Sequence, residues 1–451
     1  MSASLSECLE RRLAVAGDAL SSATDDRPAL VMVWAGEPIH VPGGHDQTFP
    51  FRPHPEYQWL TGSTRAGGVI VWDGSSRAWT SFVRPVTDAE RLWEGASEEV
   101  AGEDNAGEDM AGEDIAELAR WLGARDLGSV FSLGAPGADD LDLLETVVPG
   151  FDQAGEDERE AVQQALDRAR RPKDGYELGL IARAVTATAA GHRRVLEVLR
   201  PGISEREIQI ELEAEMFRHG ADATGYGTIV GIGSHAAVLH FSPGERIARP
   251  GDLVLIDAGG SVGGYTADVT RTHPAAPPCD QRQADVRDLV VAALDAGIAA
   301  CRPGVEWHDV HRTSARVLAR GLVDLGVLVG EVEGLLESEA IAVFFPHGVG
   351  HMVGLGVRDV GGAAPGRDNP RCCGVNVRVD LPLERGFVMT VEPGIYFVPA
   401  ILDDPERRER FASQIRWDRV EELRPVGGVR MEDDVLIVED GARNLTAEIP
   451  R

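Results

Sequence analysis

The 451-residue chain has little cysteine, a deficit of positive charge and no long hydrophobic run. Its five cysteines (Cys8, Cys279, Cys301, Cys372, Cys373) are odd in number and follow no framework spacing. That excludes a disulfide-stapled secreted scaffold and indicates a reduced, cytoplasmic protein. Cys372 and Cys373 are vicinal, but no second pair stands beside them, as a redox or metal motif of paired cysteines would require. Lysine and arginine number 44 against 74 aspartates and glutamates, a formal charge of −30. A nucleic-acid partner is thereby excluded, because such binding neutralises phosphates with Lys and Arg. The acidic surplus favours solubility and enriches cations near the surface. No segment approaches the roughly 18–20 apolar residues of a membrane span, and the opening MSASLSECLERRLAVAGDAL lacks the apolar stretch of a signal peptide. No membrane association is expected.

What is present is enough chain for two or three domains, 43% of it hydrophobic. In the first third, PALVMVWAG (28–36), GGVIVWD (67–73) and AWTSFV (78–83) are short apolar runs bounded by glycine or charge, and they predict strands. AGED occurs three times at a five-residue period over 101–114 and again at 154–157. Five fits neither a helix nor a strand, so this is read as acidic surface. A helical pattern over 158–199 breaks at RRPKDG (170–175), where Pro172 and Gly175 mark a domain boundary. Beyond it helices are predicted at 176–199, 204–219, 281–301 and 308–326. The second opens with Ser204 and Glu207 in capping-box spacing. Strands are predicted at 251–258, 264–272, 386–396 and 428–438, which makes this part α+β.

Five residues carry the chemistry. Asp257 and Asp268 stand eleven apart in DAGGSVGGYTAD, where the glycines let the chain turn back. Strand parity puts Leu253, Leu255 and Asp257 on one face, and Thr266, Asp268 and Thr270 on one face of the next strand. Any turn can carry two aspartates; their company decides the reading. His351 closes HGVGH. Glu392 lies inside FVMTVEPGIYF, where an unpaired buried carboxylate would be costly. Glu432 precedes Asp433 and Asp434 at the head of VLIV, three like charges that would repel without a cation among them. Four carboxylates and one imidazole suit two divalent cations that share bridging ligands and activate water. The oxygen-rich set favours Mn²⁺ and admits Co²⁺ or Zn²⁺. Arg430, two residues before Glu432, is placed to orient a metal carboxylate from behind.

With these residues the chain resembles the pita-bread metallopeptidases, in the branch of proline dipeptidase and aminopeptidase P. GTIVGIGSHAAVLHFS, VLIDAGG…YTADVTRTHP, FFPHGVGH, VMTVEPGIYF and GGVRMEDDVLI follow that family's order across nearly all of 170–451. FPFRPHPEYQWLTG and FVRPVTDAERLWEG match its accessory domain more loosely. PGVEWHDVHR and the insert between EPGIYF and GGVRMED lean toward the prolidase side.

The resemblance implies an α/β amino-terminal accessory domain over about 1–165 and an α+β pita-bread catalytic domain over about 170–451. It implies that Asp257 chelates one metal, that Asp268 and Glu432 bridge both, and that His351 and Glu392 complete the second. Glu392 would also manage the proton of the attacking water. His240 would face the scissile carbonyl and His347 would line the proline side of the pocket. Arg378, fourteen residues before Glu392, would grip a dipeptide's carboxylate. The substrates implied are short proline-containing peptides, and the assembly a homo-oligomer, a dimer or a tetramer.

One position departs from the family. Where it usually continues DVHDVG after the second histidine, this chain has GVRDVGG, so Arg358 replaces a histidine. An arginine can donate to an oxyanion but does not give up its proton, and losing such a donor can cost about 10²–10³ in rate. The expected function is cleavage before proline, in dipeptides or at the N-terminus of short peptides. The substitution keeps open a non-peptidase hydrolase on the same fold, creatinase-like or acting on organophosphorus esters. A catalytically silent scaffold is the remaining alternative, and the complete ligand set speaks against it.

Overall fold

The computed structural model describes residues 4–44, 47–93, 95, 112–125, 128–148, 155–367 and 370–451. The first two AGED copies and the start of the third lie outside the described residues. Packing divides the chain into two compact units, Met1–Arg170 and Arg171–Arg451.

The amino-terminal unit is built on a mixed five-stranded sheet in the order Glu113–Asp114, Ala78–Val83, Val69–Asp73, Ala29–Trp34, Ser129–Leu133. Ala29–Trp34 runs antiparallel to Val69–Asp73 and parallel to Ser129–Leu133. Every residue of Ala29–Trp34 is buried, the signature of a central strand covered on both faces. Met32, Trp34, Val69, Val71 and Phe82 pack with Leu118, Leu122 and Leu144 to form the core.

The carboxy-terminal unit opens where Pro172 ends one helix and Asp174 begins the next. The Asp174 carboxylate accepts from the N–H groups of Tyr176 and Glu177, and Glu177 returns the bond to the Asp174 N–H. Helix Gly175–Val198 packs on Glu205–Arg218, and Gln281–Ala300 packs on Trp307–Asp324. The capping box expected at Ser204 and Glu207 is formed. Between the helices lie short antiparallel sheets. One is Thr270–Pro274, Leu253–Asp257 and Ile229–Ile232; another is Val388–Val391, Asp433–Val438 and Gly441–Asn444. The unit is α+β. Among the described residues no helix is long and apolar enough to cross a membrane.

The expected long strands are interrupted, and the interruptions fall on the carboxylates. The strand read over 264–272 is Tyr265–Thr266 and Thr270–Pro274; that over 386–396 is Val388–Val391 and Gly394–Tyr396; that over 428–438 is Gly428–Arg430 and Asp433–Val438. Asp268, Glu392 and Glu432 occupy the gaps. Each gap turns one carboxylate out of the pleat, and Pro393 could not have donated to a ladder in any case. The freed backbone groups find other partners: Asp268 N–H donates to Asp434 Oδ2 at 3.0 Å, Glu392 N–H to the Val349 carbonyl at 2.7 Å, and Glu432 N–H to the Thr270 carbonyl at 3.1 Å. A second correction concerns the acidic triplet. Asp433 turns away from the cavity to Arg271 and Arg451, and Asp434 caps the Asp268 N–H, so only Glu432 lines the cavity.

Gly259 sits where the two arms of the Asp257–Asp268 segment cross. A Cβ there would lie 1.7 Å from the Ala267 carbonyl oxygen. Gly259→Ala must push the arms apart, and a destabilisation of about 1–3 kcal/mol is expected, the range for overpacking, with loss of bound metal. Urea unfolding and metal analysis check this; an unchanged midpoint with full metal content would mean the crossing is not tight.

Candidate metal centre

The ten residues expected to form the site all line one cavity of about 950 Å³. They are His240, Asp257, Asp268, His347, His351, Arg358, Arg378, Glu392, Arg430 and Glu432. Asp257 ends its strand opposite Thr270, and the strand gaps bring in Asp268, Glu392 and Glu432. His351 follows the glycine turn of HGVGH, its N–H held by Thr390 Oγ1 at 3.0 Å. One ligand atom each from Asp268, His351 and Glu432, all buried, lies within 4.8 Å of the others.

The imidazole is presented as a metal ligand should be. His351 Nδ1–H donates to the Met352 carbonyl at 2.9 Å, which leaves Nε2 facing Asp268 Oδ2 at 3.4 Å and Glu392 Oε1 at 3.9 Å. Behind the carboxylates stands Arg430, only 3% exposed. Its Nη2 donates to Asp257 Oδ2 at 2.5 Å, its Nε to Thr270 Oγ1 at 3.0 Å and its Nη1 to the Tyr396 hydroxyl at 2.9 Å. Thr270 Oγ1 in turn donates to Glu432 Oε2 at 2.6 Å. One cation thus orients two of the four carboxylates, one directly and one through a hydroxyl.

Burial and mutual repulsion shape the electrostatics. Burial first, then Asp268, Glu392 and Asp257, push the Glu432 carboxyl well above its usual value. Burial pushes Glu392 up to about 7, with His351 and Arg430 opposing. Asp257 is raised by burial and by Asp268, against the pull of Arg430. Burial pulls the His351 imidazole down, but Asp268 and Glu392 outweigh it and hold it above its ordinary value. Carboxylates in this state resist ionising together unless cations join them. The donor set therefore fits divalent ions, with hard oxygens predominating.

Residues not singled out from the sequence complete the site. The Tyr226 hydroxyl lies 2.6 Å from both Asp257 Oδ1 and Asp268 Oδ1, and donates to one of them at a time. Tyr396 accepts from Arg430 and donates to His347 Nε2 at 2.8 Å, while His347 Nδ1–H donates to the Gly348 carbonyl at 2.8 Å. That network sets the His347 tautomer. Burial, with Arg430 adding to it, holds this imidazole neutral, down to about 3. Only the rarity of tyrosine, five in the chain, could have pointed to Tyr226 and Tyr396.

Arg358 and Arg378 add positive charge to the lining of the same cavity. Burial and the charges of Arg358, Arg430 and Arg378 hold His240 below its ordinary value, so it is mainly neutral at pH 7. Burial and Arg358 likewise lower Arg378. Among the described residues no carboxylate pairs with Arg358 or Arg378 within 4 Å. The segment of Arg358 is anchored by its neighbour Asp359, in a buried ion pair with Lys173 at 2.8 Å. The segment of His240 is anchored by Glu205, which accepts from the N–H groups of Ile232 and Gly244.

Comparison with known proteins agrees with this geometry. The family profile described as Metallopeptidase family M24 matches residues 179–439, and Aminopeptidase P, N-terminal domain, matches residues 10–122. The chain is 35% identical to Xaa-Pro aminopeptidase 1 of Streptomyces coelicolor, over 94% of this chain and 84% of that protein. It is 31% identical to a probable Xaa-Pro aminopeptidase of Sordaria macrospora, over 89% and 85%. Its structure is similar to that of an Escherichia coli aminopeptidase P variant in complex with substrate. The TM-score is 0.79 at 28% identity, over 100% of this chain and 97% of the other. Pseudomonas aeruginosa aminopeptidase PepP gives 0.77 at 29%, over 100% and 97%.

Raised carboxyls make a claim about stability. A folded-state value above the unfolded one stabilises the fold below the ordinary carboxyl range, and that contribution is lost as pH rises through the folded value. For Glu392 the loss runs from its usual 4.5 up to about 7. The metal-free protein should therefore lose melting temperature between pH 5 and pH 8, while the metal-loaded protein should lose much less. Calorimetry of both forms across that range checks it; parallel profiles would show that the carboxylates are not mutually strained.

Proposed function

The chain belongs to metallopeptidase family M24, and from that premise we propose that it is a divalent-metal-dependent Xaa-Pro aminopeptidase, removing the residue that precedes proline at a peptide's N-terminus. The observation that carries this reading is the convergence of four carboxylates and one imidazole on a single cavity. The relatives' names favour aminopeptidase action over the dipeptide preference that Arg378 suggested, and peptidase over other hydrolase chemistry.

Asp257, Asp268, His351, Glu392 and Glu432 would hold the cations, with Mn²⁺ the ion we propose from the hard donor set. Divalent ions there supply Lewis-acid polarisation of the scissile carbonyl and lower the pKa of water. Glu392 takes the proton of the attacking water and returns it to the leaving proline nitrogen. His240 and Arg358 donate to the carbonyl oxygen as it gains negative charge. Arg358 remains charged throughout, so it stabilises without shuttling protons. His347, neutral and tethered to Tyr396, shapes the proline side.

All five cysteines are free, which supports a reducing, cytoplasmic setting. The adjacent exposed Leu92 and Trp93 of the amino-terminal unit, 74% and 79% accessible, support a homo-oligomer.

The assignment is tested with Ala-Pro-Ala and Ala-Ala-Ala. Metal-dependent release of alanine from the first alone is expected, and equal release from both would sink it. Glu392→Gln keeps the shape but removes the base, and turnover should fall about 10²-fold or more; near-normal turnover would move the proton role elsewhere. The two arginines separate on Ala-Pro against Ala-Pro-Ala. The one that grips a free proline carboxylate should, on mutation to alanine, cost the dipeptide about 1.5–3 kcal/mol and spare the tripeptide. Loss on neither would mean that neither arginine reads that carboxylate.

A further inference from the structure

The vicinal cysteines gain in the fold the third partner that the sequence did not offer. Cys372 and Cys373 lie in a short hairpin that pairs Arg371–Cys372 with Val375–Asn376, and Arg371, Gly374, Val375 and Asn376 line the catalytic cavity. Their sulfurs are 3.9 Å apart. A tetrahedral ion with metal–sulfur bonds of about 2.3 Å holds two sulfurs about 3.8 Å apart, so the spacing already suits one. His311, on helix Trp307–Asp324, is fully buried, and one ligand atom from each of the three residues lies within 4.8 Å of the others. His311 Nδ1 accepts the Val349 N–H at 3.1 Å. Its Nε2 is buried without a hydrogen-bond partner. Cys372 is buried, while Cys373 is partly exposed and gives a cation a way in.

We propose that Cys372, Cys373 and His311 form a second metal site, which takes a thiophilic dication of the zinc–cadmium class. Two sulfurs and an imidazole select such an ion over the hard cations that the oxygen-rich centre takes. The site is coupled to the catalytic cavity through one hydrogen bond. Ligation through Nε2 uses that nitrogen's lone pair, so the ring's proton moves to Nδ1 and the Val349 N–H loses its acceptor. Val349 stands between His347 and His351, and its carbonyl accepts the Glu392 N–H. Occupancy therefore loosens the segment that presents both histidines and lowers turnover.

The experiment titrates Cd²⁺ into the full chain held in excess Mn²⁺. One equivalent should bind with thiolate-to-cadmium ultraviolet absorption, and Cys372 and Cys373 should become protected from alkylation, as read by peptide mass mapping. Turnover should fall with the same midpoint. Cys372→Ser/Cys373→Ser should keep its Mn²⁺ activity and lose the absorption. His311→Gln should weaken the cadmium midpoint by about tenfold or more, the range for perturbed metal ligation. Absorption that persists in the serine variant, or thiols still open to alkylation at saturation, overturns the site. Inhibition at an unchanged midpoint in the serine variant assigns the effect to displacement at the catalytic centre and overturns the coupling. An unchanged midpoint in His311→Gln removes the imidazole from the ligand set and overturns the three-ligand site. The binding and protection readouts do not depend on the peptidase assignment.

Discussion

The Arg430 guanidinium is the contact on which the centre depends. It joins the strand that ends at Asp257, the strand that begins at Thr270 and the strand that ends at Tyr396. Two distant parts of the sequence, 257–270 and 396–430, are thereby set around one cavity. Its charge is also the counterweight to the carboxylates. Four carboxylates against one buried guanidinium leave three negative charges with His351 neutral, and two dications would turn that into one positive charge. A site with that small excess favours a water that gives up its proton. Removing Arg430 would leave Asp257 buried without its partner, a larger loss than any surface ion pair in the chain could cause.

The same constraint explains what was legible in the sequence. The five residues that converge on the cavity could be read because each sits in a short motif of glycine, proline and apolar residues whose spacing is local. The breaks in the strands could not, because the apolar runs around Asp268, Glu392 and Glu432 continue without a change of period. What ends each strand is a partner elsewhere in the chain: Asp434 for the Asp268 N–H, Val349 for the Glu392 N–H. Asp433 and Asp434 were misread for a related reason. Asp433 follows the gap at the head of a regular strand, so it and Asp434 leave Glu432 alone in the cavity. Arg271, which neutralises Asp433 at 2.7 Å, comes from a strand more than 160 residues earlier. Tyr226 and Tyr396 were invisible because a lone hydroxyl has no pattern; its partners define it.

Arg358 changes the charge of the cavity lining without belonging to the set of four carboxylates and one imidazole. Asp257 ends a strand, Asp268, Glu392 and Glu432 sit in strand gaps and His351 in the HGVGH segment, whereas Arg358 is on a neighbouring loop anchored by the buried Lys173–Asp359 pair. With Arg378 in the same lining, the cavity carries two such cations, and burial together with the charge of Arg358 lowers Arg378. A substrate carboxylate or a developing oxyanion relieves that repulsion. The cavity lining therefore carries charges of both signs.

HGVGH meets both donor environments within five residues. His351 turns its Nε2 toward the carboxylates, and the Val349 N–H is held by the imidazole that faces the two thiols. The two environments differ in softness: oxygen predominates in one and sulfur in the other. A hard cation such as Mn²⁺ is therefore held poorly by the second, and Mn²⁺ and a thiophilic dication can be loaded independently. Their independence ends at Val349, whose N–H depends on the His311 ring and whose carbonyl fixes the backbone of Glu392. A change in the state of one buried imidazole reaches the catalytic carboxylate through a single residue, with no rearrangement of the strands that carry the other ligands.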